Sequence, residues 1–214
     1  MLAYNDHLEE YILAHIDEEP QVLKDVYRRT HLHHLYPRMC SGHYQGRLLK
    51  MLTAMINPQR VLELGTFTGY STLAIAEGLN DTAIIDTVEI DEEKEPELTT
   101  LFASQPMGDR INLHIGDALT LLDTMEGSWD MVFIDANKRQ YRQYLDAVLD
   151  KVPVGGFILA DNTLWDMKVV GSNEPKDSQT RAIAEFNDYV RAHPRLEKVI
   201  LPVRDGLTLM RRIS

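Results

Sequence analysis

Carboxylate and amide side chains follow two short apolar runs of this sequence, at the points where predicted strands would end. Asp135 follows residues 131–134, and Asp161 and Asn162 follow residues 157–160. If these runs are neighbouring parallel strands, the three side chains come close together at one edge of a sheet. All-oxygen ligand sets suit Mg²⁺, Ca²⁺ or Mn²⁺, and the sequence has no His and Cys spacing typical of zinc. We therefore predict a divalent-cation site formed by these three residues.

Lys138 follows Asp135 closely along the chain and would lie at the mouth of the same site. Beside a metal ion and a positively charged ligand, the pKa of Lys138 would be lowered because like charges disfavour its protonated form. It could then take a proton as a general base. The alternative is an ordinary surface lysine. The hypothesis gives Lys138 and Asp135 catalytic roles.

A glycine-containing loop, residues 65–69, follows an apolar run that carries Glu63. Its spacing is not Gly-x-Gly-x-x-Gly, and Gly-Lys-Ser/Thr is absent, so pyrophosphate binding is not indicated. The glycines still allow a ligand to approach the backbone closely. Glu89 lies about 20 residues further on, at the end of the next run, where an acid suits hydrogen bonding to ribose hydroxyls.

Five acids therefore lie at or just after the ends of predicted strands: Glu63, Glu89, Asp117, Asp135 and Asp161. A single acid in such a place often caps the following helix. Five acids gathered at one sheet edge would repel one another unless they held cations or hydroxyl donors. We therefore favour a ligand site over capping for the group as a whole.

Alternation of apolar runs with helical stretches predicts an α/β fold. The runs are typical of strands in a mostly parallel sheet with helices on both faces, and they span residues 61–64, 84–88, 111–115, 131–134, 157–160 and 199–203. Asp205-Gly206 before residues 207–213 predicts a tight hairpin into an antiparallel last strand. Residues 1–58 show helical periodicity and no strand. They are predicted to be a helical N-terminal extension of a single domain, residues 1–214, whose core is residues 59–214.

The formal net charge of −11 disfavours a large nucleic-acid interface and favours a small ligand. The single cysteine, Cys40, excludes an intrachain disulfide and favours a reducing cytoplasm. No apolar run approaches the roughly 20 residues that a membrane span needs, and the N-terminus lacks the pattern of a signal peptide. The neighbouring His31, His33 and His34 are predicted to lie on the surface or at the end of a helix.

Together these residues resemble the metal-dependent class I O-methyltransferases, the group of caffeoyl-CoA and catechol O-methyltransferases. The resemblance is carried by residues 61–71, 133–138, 160–165 and 201–207, and it extends from about residue 39 to the C-terminus. It implies a Rossmann-like, seven-stranded sheet with an antiparallel last strand, and commonly a homodimer. It also implies S-adenosylmethionine (SAM) as methyl donor, a divalent cation such as Mg²⁺, and a hydroxylated aromatic small molecule as acceptor.

The resemblance further implies roles for individual residues. The residues that would bind SAM are Met39, Glu63, Gly65, Thr66, Phe67, Ser71, Glu89, Asp117, Ala118 and Asp135. Within this set, Glu63, Gly65 and Ser71 would surround the methionine end. Glu89 would hold the ribose, and Asp117 with Ala118 would line the adenine. The metal ligands would be Asp135, Asp161 and Asn162, and Lys138 would be the catalytic base.

Two positions depart from plant-type members of this group. Asn137 stands where they have an acid, and Gln45-Gly46 stands where they have Glu-Gly. The identity of the acceptor therefore cannot be carried over from them. The sequence also leaves open whether residues 163–178, with Trp165, form a lid over the acceptor or a plain surface loop.

Three alternative functions are open to test. The first is a tRNA-modifying enzyme that methylates a hydroxylated uridine with the same metal site, which the net charge of −11 disfavours. The second is a non-catalytic SAM-binding or dimerisation module, which the presence of Asp135, Asp161, Asn162 and Lys138 disfavours. The third is a nucleotide-dependent oxidoreductase, which the glycine spacing disfavours.

Overall fold

The computed structural model describes residues 6–171 and 177–214, and within these ranges seven strands form one sheet. They are β1 (Arg60–Leu64), β2 (Ile84–Glu89), β3 (Ile111–Ile115), β4 (Met131–Ile134), β5 (Phe157–Asp161), β6 (Leu196–Leu201) and β7 (Leu207–Arg212). Their order is β3-β2-β1-β4-β5-β7-β6. β7 runs antiparallel to both of its neighbours, and the other pairs are parallel. The predicted mostly parallel sheet with an antiparallel last strand is confirmed.

The central strands are covered on both faces. All four residues of β4 and the last four of β1 are buried, which explains their near-continuous apolar sequence. Alternate residues point to opposite faces. Leu62 and Leu64 accordingly belong to one apolar cluster, with Trp129, and Val61 belongs to another, with Leu49.

Within the described residues three α-helices precede β1, as the periodicity of residues 1–58 predicts: α1 (Asp6–Leu13), α2 (Gln21–His33) and α3 (Gly42–Ile56). α3 ends at Asn57, whose left-handed backbone (φ 51°) supplies a common helix stop before Pro58. The buried face of α3 includes Gln45 and Gly46, and the helix packs against α4 (Tyr70–Glu77), the helix that follows β1.

The remaining helices alternate with the strands: α5 (Glu95–Ala103), α6 (Ala118–Thr124), α7 (Tyr141–Leu149) and α8 (Ser178–Ala192). Helices α6, α7 and α8 contribute to the cluster of Leu62 and Trp129, while α2, α3, α4 and α5 contribute to that of Val61. Both faces of the sheet are thus covered by helices. Over residues 6–171 and 177–214, no helix combines the length and the apolar character needed to cross a membrane.

The last hairpin differs from the prediction. β6 spans Leu196–Leu201 rather than residues 199–203, so the loop before β7 is residues 202–206 rather than 204–206. β6 is an edge strand with most positions exposed, so its sequence carries little apolar signal. In the loop, Arg204 (φ 47°) and Gly206 (φ 88°) both adopt left-handed backbone, which turns the chain towards the end of β5.

Candidate active site

A cavity of about 1050 Å³ opens at the carboxyl ends of β1, β2, β4 and β5. Its lining includes ten residues of the predicted sites: Met39, Gly65, Thr66, Phe67, Ser71, Glu89, Ala118, Asp135, Asp161 and Asn162, together with Lys138. The topology places them together because parallel strands end at the same edge of the sheet. One cavity therefore contains most of the cofactor, metal and base residues predicted from sequence.

The glycine loop lies in direct contact with the end of β4. Gly65 has φ 105°, and a Cβ atom there would lie 2.2 Å from the carbonyl oxygen of Asp135. Only glycine fits this position, because any other residue would meet backbone and adopt a strained conformation. The Gly65 N–H donates to the carbonyl oxygen of Val88 (3.0 Å), so the loop is anchored to β2 as well.

Glu89 is held at the end of β2 by backbone donors. Its Oε2 accepts a hydrogen bond from the N–H of Phe67 (2.7 Å), and its Oε1 accepts one from the N–H of Asp91 (3.0 Å). The glycine loop and the candidate ribose acid thus position each other. Phe67 adopts left-handed backbone (φ 51°) to make this contact.

Glu63 is completely buried and does not itself line the cavity. Its Oε2 accepts hydrogen bonds from the hydroxyls of Thr72 (2.5 Å) and Thr87 (2.6 Å), whereas its Oε1 has no partner among the described residues. Burial raises the pKa of Glu63 to about 7, and the hydrogen bonds from the two threonines oppose the rise. An orphaned carboxylate oxygen behind cavity-lining Ser71 fits a site that takes a ligand with a polar donor group.

This burial predicts a pH-dependent stability. At low pH the Glu63 carboxyl is neutral in the folded and unfolded protein, so its burial has no electrostatic cost. Between about pH 4.5 and 7 the unfolded state ionises first, and the free energy of unfolding falls by roughly 3 kcal/mol. In urea titrations from pH 4.5 to 8 without SAM, Glu63→Gln should lose stability less steeply with rising pH than wild type. Glu185→Gln, at an exposed position of α8, controls for a lost surface charge, and parallel curves for wild type and Glu63→Gln would disprove the assignment.

The three predicted metal residues meet where β4 and β5 end side by side, because Ile134 pairs with Ala160. Asp161 is 3% exposed. Burial and the charge of Asp135 raise the pKa of Asp161 to about 6, and Lys138 opposes the rise. Two carboxylates that repel each other, in a cavity that Asn162 also lines, are a donor set that a hard divalent cation fits.

Metal binding here would need ligands beyond the carboxylates. Across residues 6–171 and 177–214, no group of three or more His, Cys, Asp or Glu side chains is arranged to hold a metal ion. Asn162 is the predicted source of a third protein oxygen, and its left-handed backbone (φ 57°) follows directly on Asp161 at the end of β5. A site with two carboxylates and one amide leaves positions for water or for oxygens of a substrate.

Lys138 is nearly buried, at 9% exposure. Its Nζ donates to Asp135 Oδ1 (2.6 Å) and to the hydroxyl of Tyr141 (2.5 Å). That hydroxyl in turn donates to the carbonyl oxygen of Asp161 (3.0 Å), and burial raises the pKa of Tyr141 well above its usual value. A lysine enclosed in this way is not an ordinary surface lysine. It lies in the short turn Lys138–Gln140, which Asn137 caps by accepting from the Arg139 N–H (3.2 Å).

Asp117 lies outside the group of lining residues. Its carboxylate caps α6, accepting hydrogen bonds from the N–H and the hydroxyl of Thr120 (3.0 and 3.1 Å). Ala118, the next residue, does line the cavity. Of the five acids at strand ends, Glu89, Asp135 and Asp161 line the cavity. Glu63 is buried behind it, and Asp117 has the capping role that a single acid often has.

Several lining residues carry no signal in the sequence. His34, predicted to lie at a helix end, does follow α2 but also packs its ring against Phe67 at 5.4 Å between centroids. The Nζ of Lys94 lies over the same Phe67 ring at 5.0 Å. Arg204, from the β6–β7 loop, also reaches the cavity. The sequence assigns none of the three to the site, although Arg204 falls within residues 201–207, so only the folded chain shows that they line the cavity.

The segment after Asn162 is partly defined. Trp165, Asp166 and Met167 all adopt left-handed backbone, with φ of 48°, 53° and 59°, and Asp205 holds this turn by accepting from the N–H groups of Leu164 and Trp165 and from that of Asp166. Trp165 lines the cavity. Residues 172–176 of the predicted lid lie outside the described residues, so the choice between lid and surface loop stays a prediction.

Comparison with known proteins by sequence identifies O-methyltransferases. A family model for O-methyltransferases matches residues 14–213. The caffeoyl-CoA O-methyltransferase of Petroselinum crispum is 35% identical over 229 residues, which cover 100% of this chain and 93% of that protein. Caffeoyl-CoA O-methyltransferase 2 of Petunia hybrida is 36% identical over 229 residues, with the same coverage of 100% and 93%.

Solved structures have the same fold. A SAH-bound methyltransferase from Podospora anserina superposes with a TM-score of 0.90 at 28% identity, covering 100% of this chain and 99% of that one. An O-methyltransferase from Bacillus cereus in complex with SAH gives a TM-score of 0.87 at 24% identity, covering 96% and 97%. The second likeness is one of fold alone.

Proposed function

Because this chain belongs to the O-methyltransferase family and is a SAM-dependent O-methyltransferase, we propose that it methylates a hydroxyl group of a catechol-like small molecule with the help of a divalent cation. One observation carries this proposal. Asp135, Asp161 and Asn162 line the same cavity as the near-buried amine of Lys138 and the glycine loop. The methyl donor SAM, the metal ion and the base Lys138 would then all act on one oxygen of the acceptor.

We place SAM along the glycine loop. Gly65 and Ser71 would contact its methionine end, with Glu63 behind them. Glu89 would accept hydrogen bonds from the ribose, and Ala118 would contact the adenine. A cavity of about 1050 Å³ is at the upper end for ligand pockets, which suits a cofactor and an acceptor bound together.

Asp135, Asp161 and Asn162 would hold the cation. When bound, it would supply a Lewis acid that stabilises an ionised acceptor oxygen and orients a vicinal diol. A phenol has a pKa near 10, so little phenolate exists at neutral pH. Lys138 would remove the proton from the acceptor hydroxyl, and the freed oxygen would attack the SAM methyl group in line with the sulfonium. The methyl–sulfur bond would break, its electron pair would stay on sulfur, and S-adenosylhomocysteine would leave. The walls of the cavity would hold both reactants in that geometry, which supplies much of the remaining acceleration.

The acceptor class is inferred from the relatives and from charge. The named relatives are caffeoyl-CoA O-methyltransferases, and a catechol is the part of such an acceptor that a cation between two carboxylates would orient. tRNA is the second candidate, but a net charge of −11 disfavours a polyanion. We further propose that the protein works as a homodimer in the cytoplasm, where its single cysteine, Cys40, would remain reduced.

The test is transfer of labelled methyl from SAM to caffeic acid, with Mg²⁺ and with EDTA. We expect transfer with Mg²⁺, its loss in EDTA, and its return when Mg²⁺ is added in excess of the chelator, because Lewis-acid stabilisation is worth several kcal/mol. SAM binding, followed by calorimetry under both conditions, controls for damage to the fold.

Two outcomes would contradict the proposal. Transfer that EDTA leaves unchanged would remove the metal from the reaction while keeping the methyltransferase. No transfer in either condition, with intact SAM binding, would move the acceptor to tRNA, which filter binding at low salt would then test.

A further inference from the structure

A chain of hydrogen bonds runs from the β6–β7 loop through α3 to the candidate metal carboxylate. Arg204 Nη1 donates to Gln45 Oε1 (3.1 Å), and Gln45 Nε2 donates to Asp161 Oδ2 (2.6 Å). Gln45 is 2% exposed and Asp161 is 3% exposed. The chain therefore joins three parts of the fold, from an exposed arginine to a buried carboxylate.

The partners fix the orientation of the Gln45 amide. Arginine has only donors, so the amide oxygen must face Arg204. An ionised carboxylate has only acceptors, so the NH₂ group must face Asp161. A flipped amide would place two acceptors together at Asp161 and two donors together at Arg204. Arg204 thus determines which end of Gln45 meets the carboxylate.

This arrangement leaves Asp161 fixed but still able to bind a cation. Its Oδ2 accepts from Gln45, and its Oδ1 accepts from the N–H of Asn162 (2.8 Å). A carboxylate has about four lone-pair sites, so each oxygen keeps capacity for a metal ion. Donors in the outer shell of a metal site orient the ligands, and their loss typically weakens metal binding about 10- to 100-fold.

The backbone of Arg204 supports a specific role for its side chain. Its φ of 47° lies in a region that costs a non-glycine residue about 1 kcal/mol or more. From this position Nη1 reaches both Gln45 and the carbonyl oxygen of Cys40 (3.1 Å). The loop thus holds a strained residue where its guanidinium group spans to the N-terminal region.

We propose that Gln45 is a positioning residue that fixes the Asp161 carboxylate for metal binding, and that Arg204 is the residue that orients Gln45. This inference rests on the proposed function, since it requires a cation at Asp161. In this chain an amide donor, rather than a second carboxylate, contacts the metal ligand.

The first test measures Mn²⁺ affinity by electron paramagnetic resonance, without acceptor or turnover. Gln45→Met keeps the length of the side chain and removes its donor, and should weaken Mn²⁺ binding about tenfold or more. SAM affinity should stay within about twofold of wild type, which verifies the fold. Gln143→Met, at an exposed position of α7, is the matched control and should bind Mn²⁺ as wild type does.

The second test separates Arg204 from a general electrostatic effect. Arg204→Lys keeps the positive charge but replaces the planar guanidinium with a shorter side chain, so the hydrogen bond to Gln45 should be weakened and Mn²⁺ binding should fall about threefold. In the Gln45→Met background the same change should have no effect, because Arg204 would act only through Gln45. Arg204 is an exposed residue, so this substitution does not endanger folding.

The outcomes distinguish this inference from the proposed function. If the wild-type protein binds no Mn²⁺, the metal site and the positioning role of Gln45 are both overturned. If the wild type binds Mn²⁺ and Gln45→Met binds it equally well, only the positioning role of Gln45 is overturned. An equal loss from Arg204→Lys in both backgrounds would overturn the role of Arg204 in orienting Gln45.

Discussion

Replacing Asp161 with alanine should abolish methyl transfer while leaving SAM bound with nearly unchanged affinity. The carboxylate is buried, belongs to the end of β5 and meets Asp135 across the strand pair. Its removal would take one of two anionic ligands from the cation. Loss of a Lewis acid worth several kcal/mol corresponds to roughly a thousandfold or more in kcat. The measurement is kcat with saturating Mg²⁺ and caffeic acid, together with the Kd for SAM.

Two further variants make this result specific. Asp161→Asn keeps the shape and removes the charge, and should lie between wild type and alanine in both Mn²⁺ affinity and kcat. Asp123→Ala removes a carboxylate from an exposed position of α6 and should behave as wild type. Loss of SAM binding in Asp161→Ala, with Mn²⁺ affinity intact, would contradict the assignment of Asp161 as a metal ligand.

Replacing Lys138 with methionine should lower kcat about 10²- to 10⁴-fold, the usual contribution of a general base. Methionine keeps most of the length of the side chain and removes the amine that contacts Asp135 and Tyr141. Because that amine pairs with Asp135, its loss should leave Mn²⁺ affinity equal to wild type or tighter. Both Lys138→Met and Asp161→Ala should lose turnover, but only Asp161→Ala should lose Mn²⁺ affinity. Measurement of metal binding therefore distinguishes the two variants.

Varying how readily the acceptor hydroxyl ionises tests whether Lys138 acts as a base. A base matters less when the acceptor ionises on its own, so the deficit of Lys138→Met should shrink as the pH approaches 10, near the pKa of a phenol. It should also shrink with nitrocatechol, a more acidic acceptor. Lys138→Arg should remain impaired at neutral pH, because arginine stays protonated. A deficit that is the same at every pH and with every acceptor would assign Lys138 a structural role instead.

The features that sequence predicts best are those encoded locally. β1 and β4 are buried on both faces, so their apolar runs stand out. The order of neighbouring strands then brings Asp135 and Asp161 to one edge without further information. By contrast, β6 lies at the edge of the sheet with most positions exposed. An exposed strand has little apolar pattern, so the bounds predicted for β6 from the sequence differ from the observed ones.

Features that depend on tertiary contact were beyond sequence reasoning. Asp117 and Glu89 both follow strands, and spacing cannot show that one caps a helix while the other accepts from the glycine loop. Gln45 and Arg204 are 159 positions apart, so no local pattern connects them. His34 faces Phe67 because α2 ends beside the glycine loop, which periodicity does not encode.

The close contact between Gly65 and the Asp135 carbonyl has a consequence for how the two ligands affect each other's binding. The glycine loop is proposed to contact the cofactor, and Asp135 is a proposed metal ligand. The backbones of these two segments lie so close that a Cβ atom at position 65 would overlap the carbonyl oxygen of Asp135. The Asp135 N–H also donates to the carbonyl oxygen of Leu64 (2.8 Å), on the strand that leads into the loop. A ligand that shifts one of these segments must shift the other. Thermodynamic linkage then requires that SAM change metal affinity by the same factor by which the metal changes SAM affinity.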